Sequence, residues 1–249
     1  MAATPQEIKK YMKKGAETVE EGLPGWFGTF ADMMTLLFAF FVLLAAISTI
    51  DPVKLQNMAD SMGKSVGKKE ELDNQAMSLG DIHKAATKMV EEMAADPQTG
   101  EKPVEVTTSP KGVTIGISSD ISFESGSANT KPGFLDILKK IVPTIQESYN
   151  MIAIEGHTDS DQLPKALLAR YPSNWELSGA RASAVVRLLI GLDVDPVRLQ
   201  SVGYGEFVPR DKNTAEIITA DLIQKYNSNP QQKSRNRRVE ITFLAPNNL

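Results

Sequence analysis

The chain contains no cysteine and only two histidines among its 249 residues. The absence of cysteine excludes disulfide bonds, thiol catalysis and thiolate-bound zinc, and it leaves the protein able to work in an oxidising or a reducing compartment. Two histidines supply too few of the ligands that zinc prefers, so a zinc-dependent hydrolase is disfavoured as well. The sequence therefore points away from thiol and zinc enzymes.

An excess of positive charge is also missing. Lys and Arg together number 27 against 31 Asp and Glu, which gives a net charge of −4. Because nucleic-acid-binding proteins usually carry a strongly basic surface, we expect no nucleic-acid partner. The apolar fraction of 41% supports a real core. The length allows one membrane span with one or two folded domains.

One long apolar run is present, from Trp26 to Ile50, and it contains a single ionisable residue, Asp32. A helix needs about 20 mainly apolar residues to cross a bilayer. The run is longer than the core of a secretory signal and no small-residue cleavage site follows it, so we expect a retained transmembrane helix over residues 24–50. Residues 1–23 form a short charged tail. Lysines on both sides of the span leave its orientation undecided.

Asp32 is the anomaly of this run. A carboxylate in the bilayer costs about 2.5–3.5 kcal/mol even on the lenient insertion scale, and such residues usually mark an ion pathway. It lies about 9 Å beyond Trp26, and the alternative is that it only caps the helix near the headgroups. Thr35, Ala39 and Ala46 share its helical face, which suits packing against other transmembrane helices. We therefore expect Asp32 to face protein, where a cation can reach it.

Residues 51–63 have the pattern of a short amphipathic helix. Asp51 and Pro52 make a typical helix start, an acidic N-cap followed by proline at the first helical position. The apolar positions fall on one face: Leu55, Met58, Ala59 and Met62. This helix is either the interfacial end of the span or a movable stopper against a neighbouring subunit, and periodicity alone does not choose. Residues 64–103 are a linker with a helical pattern over 81–95.

Residues 104–249 are expected to form the folded domain. Strand patterns occupy residues 113–117, 151–155, 199–202 and 239–244, and helical patterns occupy residues 134–146, 178–190 and 214–226. Strands that alternate with helices predict a sandwich of two layers, with the helices on one face of the sheet. The expected fold class is therefore α+β, with a single N-terminal transmembrane helix followed by an α/β two-layer sandwich domain.

Two pieces of this domain carry a candidate site. Residues 155–159 end a strand with Gly-His-Thr-Asp, and residues 173–182 run from a loop into a helix. Ser178 is expected to cap that helix, which would place Arg181 in its first turn. A cation there opposes the helix dipole, so we expect an anionic partner, either Asp159 or a carboxylate ligand. An Asp beside an Arg matches a ligand with both an ammonium and a carboxylate. His157 is expected to brace the loop through hydrogen bonds rather than to act as a general base.

These motifs resemble a known signature. The peptidoglycan-binding signature of OmpA-like domains is similar to Gly156-His157-Thr158-Asp159, Asn174-x-x-Leu177-Ser178-x-x-Arg181-Ala182, Gly203-Tyr204-Gly205-Glu206 and Asn236-Arg237-Arg238-Val239-Glu240. Flagellar stator B subunits, the MotB/PomB family, contain segments similar to two in this chain: Ser173-Asn174-Trp175-Glu176-Leu177-Ser178 and Phe123-Glu124-Ser125-Gly126-Ser127-Ala128. The apolar run also resembles the single span of that family, and it is nearer to the sodium-driven branch. The similar segments are Thr29-Phe30-Ala31-Asp32-Met33-Met34 and Phe40-Phe41-Val42-Leu43-Leu44.

The resemblance implies a torque-generating cation channel in the bacterial inner membrane, with no enzymatic activity and no cofactor. Two B subunits would sit inside a ring of MotA/PomA-type A subunits, which would act on the flagellar rotor. Asp32, with Thr35 near it, would bind the transported ion, Na+ rather than H+. Residues 52–63 would be the family's plug, which decides the earlier alternative in favour of a stopper. The N-terminus would be cytoplasmic and residues 104–249 periplasmic.

The resemblance also implies a role for each residue of the candidate site. Asp159 and Arg181 would take the ammonium and the carboxylate of diaminopimelate in the wall peptide. The supporting residues would be Thr158, Asn174, Leu177 and Arg238. Two other functions stay open: an ion-driven transducer of a gliding or other envelope machine, and a passive membrane-tethered peptidoglycan anchor for which Asp32 is dispensable.

Overall fold

The structure is a computed structural model that describes residues 4–17, 24–47, 77–93, 102–213 and 216–245. The chain divides into two units, Met1–Ile50 and Asp51–Leu249. The predicted plug, with Pro52, Leu55, Met58, Ala59 and Met62, lies outside the described residues, as does most of the predicted linker.

The described residues of the first unit form two helices, α1 (Pro5–Glu17) and α2 (Gly25–Ile47). Helix α2 has 23 residues, so at 1.5 Å per residue it is about 35 Å long, enough for a bilayer core. Its segment Gly25–Ala46 is the candidate span, and no other described helix is long and apolar enough to qualify. The apolar helix predicted from the sequence is therefore present, and Asp32 lies in its first half.

The second unit is a five-stranded sheet with helices. In chain order its elements are α3 (Leu79–Glu91), β1 (Val104–Ser109), β2 (Gly112–Ser118), α4 (Ser119–Ser122), α5 (Pro132–Gln146), β3 (Ile152–His157), α6 (Asn174–Ile190), β4 (Leu199–Gly203), α7 (Ala220–Lys225), α8 (Pro230–Asn236) and β5 (Arg238–Leu244). The strand order is β1-β2-β5-β3-β4. All neighbouring pairs are antiparallel except β3 and β4, which are parallel and joined through α6.

The core lies on one face of this sheet. Alternate strand residues point into it, because successive side chains of a strand point to opposite faces. They form one buried cluster with apolar residues of α3, α5 and α6: Ile115, Ile117, Ile152, Ile154, Val239, Ile241 and Phe243 from the strands, and Ile82, Phe134, Leu138, Ile141, Val185 and Leu189 from the helices. This arrangement confirms the predicted two-layer α+β fold with its helices on one sheet face.

The first helix of the candidate site begins earlier than predicted. Ser173, not Ser178, is the N-cap of α6, and it forms a capping box with Glu176, whose side chain accepts from the Ser173 backbone N–H at 2.8 Å. The predicted N-cap lies five residues too late because the Ser-x-x-Glu spacing of residues 173–176 was overlooked. Arg181 is consequently not in the first turn, so the dipole argument for its anionic partner was wrong.

Three other elements differ from the sequence prediction. The helix expected over residues 214–226 is wrong in extent, since only Ala220–Lys225 is helical among its described residues, after the N-cap Thr219. A further helix, α8, begins at Pro230 behind the N-cap Asn229, in a stretch where no helix was predicted from the sequence. Strand β1 also escaped prediction because its alternation of apolar and polar residues is limited to Val104-Glu105-Val106, before two threonines and a serine.

Candidate functional site

Helix α6 sits unusually close to the sheet, and two glycines make this possible. A Cβ atom at Gly156 would lie 2.2 Å from the carbonyl oxygen of Ser178, and one at Gly203 would lie 2.6 Å from the amide nitrogen of Gly179. Any side chain at either position would push the helix away. The glycines of the Gly-His-Thr-Asp and Gly-Tyr-Gly-Glu motifs therefore hold the start of α6 against the ends of β3 and β4.

Asp159 follows β3 and belongs to a chain of alternating charges. Its Oδ2 accepts a hydrogen bond from Nη1 of Arg237 at 2.7 Å, and Arg237 also donates to Asp120 from Nε at 3.2 Å and Nη2 at 3.1 Å. Burial alone would lower the pKa of Arg237, but its bonds to the two carboxylates outweigh burial and raise it. Burial would likewise raise the pKa of Asp120, but Arg237 and Ser234 lower it. Asp120 and Arg237 are therefore both charged at neutral pH, and Arg237 bridges Asp120 and Asp159.

Arg181 is the second cation of this group. Its side chain is buried, its Nε donates to the carbonyl of Ser127 at 2.9 Å, and its guanidinium lies 5.3 Å above the ring centre of Phe123. Burial lowers the pKa of Arg181 and the nearby charge of Asp159 opposes this effect, yet an arginine stays protonated at physiological pH. None of the described residues accepts a hydrogen bond from its two Nη groups, which leaves donors for a ligand.

Three further predicted residues frame this pair. Asn174 donates from Nδ2 to the carbonyls of Asp159 at 3.2 Å and of Asp161 at 3.1 Å, so it fixes the loop rather than presenting its amide. The backbone N–H of Thr158 donates to Gly205 at 2.9 Å, while its buried hydroxyl finds no hydrogen-bond partner among the described residues. Leu177 is 3% exposed and packs with Ala128 and Tyr171 as a wall.

The rim of the site comes from two long connections. Residues 160–171 turn back so that Leu163 packs beside Tyr171 and Leu177, and the Leu167 side chain lies against Gly126, whose φ of +63° suits a glycine. On the other side Lys233 of α8 forms an ion pair with Asp161 at 2.6 Å. Residues 160–171 and helix α8 thus enclose the site, and their contacts could not be predicted from the sequence.

Arg238 is the one predicted binding residue that the structure does not bring to this site. It pairs across the strands with His157 and shares the outer sheet face with Glu240, to which its Nε donates at 2.6 Å. The alternation of buried Val239, Ile241 and Phe243 could have shown that Arg238 points away from the helices. The neighbouring Arg237, at the end of α8, takes the place beside Asp159.

The outer face carries its own buried charge cluster. Glu240 also accepts from Arg210 at 2.9 Å, and Glu155 accepts from Lys111 and Tyr204, each at 3.3 Å. Burial alone would raise the pKa of Glu240, but the positive charges, Arg238 first among them, lower it to about 2. The carboxylates of this cluster are therefore already paired with cations.

His157 lies inside this cluster and braces it differently from the prediction. Its ring nitrogens make no hydrogen bond to the described residues, so the expected bracing by hydrogen bonds is wrong. The ring instead stacks on Tyr204 with centroids 5.3 Å apart and an angle of 20°. Burial and the charge of Arg238 lower the pKa of His157 to about 3. One ligand atom each from Glu155, His157 and Glu240 would fit within 4.8 Å, but the surrounding cations oppose a metal ion there.

The membrane helix holds the second candidate site. The hydroxyl of Thr35 donates to the carbonyls of Ala31 and Asp32, each at 2.9 Å, and that of Thr29 donates to Trp26 at 2.7 Å. Because both protons are directed at the backbone, the lone pairs of both hydroxyl oxygens remain free to accept. Thr35 stands one turn after Asp32 on the same helical face. The pair provides oxygen atoms of the kind that bind hard cations.

Taken together, these features define a class of protein that has an apolar helix with a single carboxylate and an α+β domain with a cleft of paired charges beside the sheet, formed by Asp120, Asp159, Arg181 and Arg237. Residues 9–66 match the MotB_plug family, described as "Membrane MotB of proton-channel complex MotA/MotB", and residues 122–220 match the OmpA family. The chain is accordingly a protein of the MotB type with an OmpA-like domain.

The chain is similar to two curated relatives over nearly the whole length of each. Motility protein B of Bacillus subtilis is 29% identical over 271 residues, which cover 95% of each chain, and YtxE of the same organism is 29% identical over 243 residues, or 93% of each chain. A solved structure of the periplasmic domain of Helicobacter pylori MotB is 24% identical with a TM-score of 0.48, over 59% of this chain and 85% of that one.

The family match bears on two predictions made from the sequence, the role of the chain and its place in the cell. Proteins of this type are membrane-bound components of the flagellar stator that anchor it to peptidoglycan, and they are not enzymes. The chain is therefore a single-pass protein of the inner membrane with a stator and wall-anchoring role, and MotA is the partner named in the description of the matched family.

Proposed function

We propose that this chain forms, with a MotA-type subunit, a channel that couples cation flow to flagellar torque while its folded domain holds the wall peptide. The observation that carries the anchoring part is the juxtaposition of Asp159 with Arg181, whose two Nη groups have no acceptor among the described residues. A diamino acid of the wall peptide offers one ammonium and one carboxylate for these two groups.

Charge and burial favour such a ligand. The cleft contains two anions, Asp120 and Asp159, and two cations, Arg181 and Arg237, so its net charge suits a zwitterion. Asp159 accepts only two hydrogen bonds from described residues, and a carboxylate has about four acceptor positions. Asp159 and Arg181 are 8% and 5% exposed. Ion pairs and hydrogen bonds to such poorly hydrated groups are stronger than those at an open surface.

The transport part rests on Asp32. Two copies of the chain would line the channel within a ring of A subunits, which transmit torque to the rotor. The carboxylate binds the ion together with Thr35, and neutralisation by the ion removes its desolvation cost. Movement of one charge through 100 mV releases about 2.3 kcal/mol, which is available for work if the site opens to each side in turn.

The coupling ion is proposed to be sodium. The similarity of residues 29–44 to the sodium-driven branch supports this choice, as do the free lone pairs on the hydroxyls of Thr29 and Thr35. A proton needs no such oxygen cage, and the matched family is described as a proton channel, so protons are the alternative. The proposed orientation places the N-terminus in the cytoplasm and the folded domain in the periplasm. In that orientation residues 52–63 plug the channel until the stator docks.

The anchoring role is tested by sedimentation of the full-length chain, in detergent, with insoluble peptidoglycan. Arg181→Ala removes the proposed carboxylate ligand, and we expect a loss of at least tenfold in the bound fraction. Arg187→Ala, an exposed arginine on the same helix, is the matched control and is expected to bind like the parent. Equal sedimentation of the parent and Arg181→Ala, with both folded by circular dichroism, would remove Arg181 from the site.

A further inference from the structure

An exposed pair of aromatic rings stands next to the proposed wall-peptide site. Trp175, in the first turn of α6, and Phe207, in the turn after β4, stack with ring centroids 5.2 Å apart and an angle of 23°. Trp175 is 48% exposed and Phe207 is 36% exposed. Neither ring belongs to the buried core clusters, so the fold does not account for their outer faces.

The two rings are held rigidly by the segments that also build the site. Gly205, with φ of +56°, lets its turn approach α6, and its N–H donates to the hydroxyl of Ser178 at 3.0 Å. Its carbonyl accepts from Thr158, the residue before Asp159. On the other side of the pair, Asn174 immediately precedes Trp175 and donates to the carbonyl of Asp159. The aromatic pair is therefore continuous with the peptide cleft.

The spacing along α6 matches the chemistry of the wall polymer. Trp175 and Arg181 are six residues apart, which corresponds to about 9 Å along the helix axis and about 120° around it. In peptidoglycan the diamino acid is the third residue of a peptide attached to an amino sugar. Three extended residues reach about 10 Å. With the diamino acid at Arg181, the sugar ring that carries the peptide comes within reach of Trp175.

We propose that Trp175 and Phe207 form a platform that binds an amino sugar of the glycan strand, so that the domain grips the sugar as well as the peptide. The apolar C–H face of a pyranose ring packs on the face of an aromatic ring, while its hydroxyl groups stay in water. This inference rests on the proposed function, because the peptide cleft sets the position of the sugar.

The test compares two soluble ligands that differ only in the sugar. One is the free stem peptide with its diamino acid, and the other is the same peptide attached to its disaccharide. Only Trp26 and Trp175 are tryptophans in this chain, so in full-length Trp26→Phe the emission of Trp175 alone reports binding. We expect the disaccharide-peptide to shift this emission and the free peptide to leave it nearly unchanged.

Affinities measured by calorimetry complete the test. Trp175→Ala should bind the disaccharide-peptide about fivefold to tenfold more weakly and the free peptide as the parent does, while Trp175→Phe should recover most of the loss. Tyr149→Ala, an exposed aromatic residue before the opposite end of β3, is the control and should change neither. Parent-like affinity of Trp175→Ala for both ligands, or an equal loss for both, would overturn the platform alone. Failure of the parent to bind either ligand would overturn the proposed function and the platform with it.

Discussion

Glu240→Gln is the substitution that most directly tests the charge cluster on the outer sheet face. The folded domain holds the pKa of Glu240 at about 2, against an ordinary 4.5. Since one pKa unit corresponds to about 1.4 kcal/mol, the ionised carboxylate contributes on the order of 3 kcal/mol to stability at neutral pH. The same interaction seen from Arg238, which is 8% exposed and would lose this anion, gives a loss of the same size and not an additional one.

The sign of the pH dependence follows from the lowered pKa. The contribution of Glu240 is complete above about pH 5 and disappears as the pH falls toward 2, because the unfolded chain then binds a proton that the folded chain does not. The lowered pKa of His157 acts in the same direction. The stability of the fold decreases as the pH drops below about 6.5, because the unfolded chain binds a proton there that the buried ring does not. Both proteins contain His157, so the difference between their stability curves reports mainly on Glu240.

The assay is urea unfolding of the full-length chain in detergent, in the Trp26→Phe background, with Trp175 as the probe of the folded domain. We expect Glu240→Gln to lower the free energy of unfolding by about 3 kcal/mol at pH 7. The difference from the parent should shrink steadily below pH 5. The control is Glu105→Gln, which also removes a partner of Arg210 but at a site 57% exposed, and it should cost less than about 1 kcal/mol. A loss below 0.5 kcal/mol for Glu240→Gln, or a difference independent of pH, would refute the reasoning.

Three further changes test the rest of the proposal. Asp32→Asn should abolish swimming while the chain still reaches the membrane, since an amide cannot exchange charge with a passing cation; normal swimming contradicts the channel. Removal of residues 52–63 should make cells leak cations when the A subunit is co-expressed, and unchanged growth and ion flux would dismiss the plug. Swimming speed should rise with external sodium at fixed pH; speed that follows pH alone indicates protons.

Much of this protein could be read from its sequence because the signals are local. A run of more than 20 apolar residues forms either a membrane helix or a buried one. The single carboxylate within it is recognisable whatever surrounds it. The strands with strict alternation and the helices with clear apolar faces were placed correctly to within a few residues. The Gly-His-Thr-Asp motif and Arg181 of α6 were also found in this way.

The rest depended on contacts between distant parts of the chain. Asp159 meets Arg237 across 78 positions, and Arg237 meets Asp120 across 117, and no periodicity encodes such pairs. Arg238 was named because the resemblance to the family motif implied it. The alternation of Val239, Ile241 and Phe243 indicates that Arg238 points away from the helices, but only the contacts of Arg237 with Asp120 and Asp159 show which arginine belongs to the cleft. Nor does the sequence show that Phe207 stacks on Trp175, since separate segments bring the two rings together.

The sequence by itself determined the membrane helix, the acid within it, the α+β character of the domain and the main candidate residues, because each follows from composition, periodicity or a short motif. The tertiary structure alone decided which arginine belongs to the cleft, what closes its rim and which aromatic rings border it. The physical reason is that a side chain's neighbours are set by sheet register and by the close seating of α6 on two glycines, and these are properties of the whole fold.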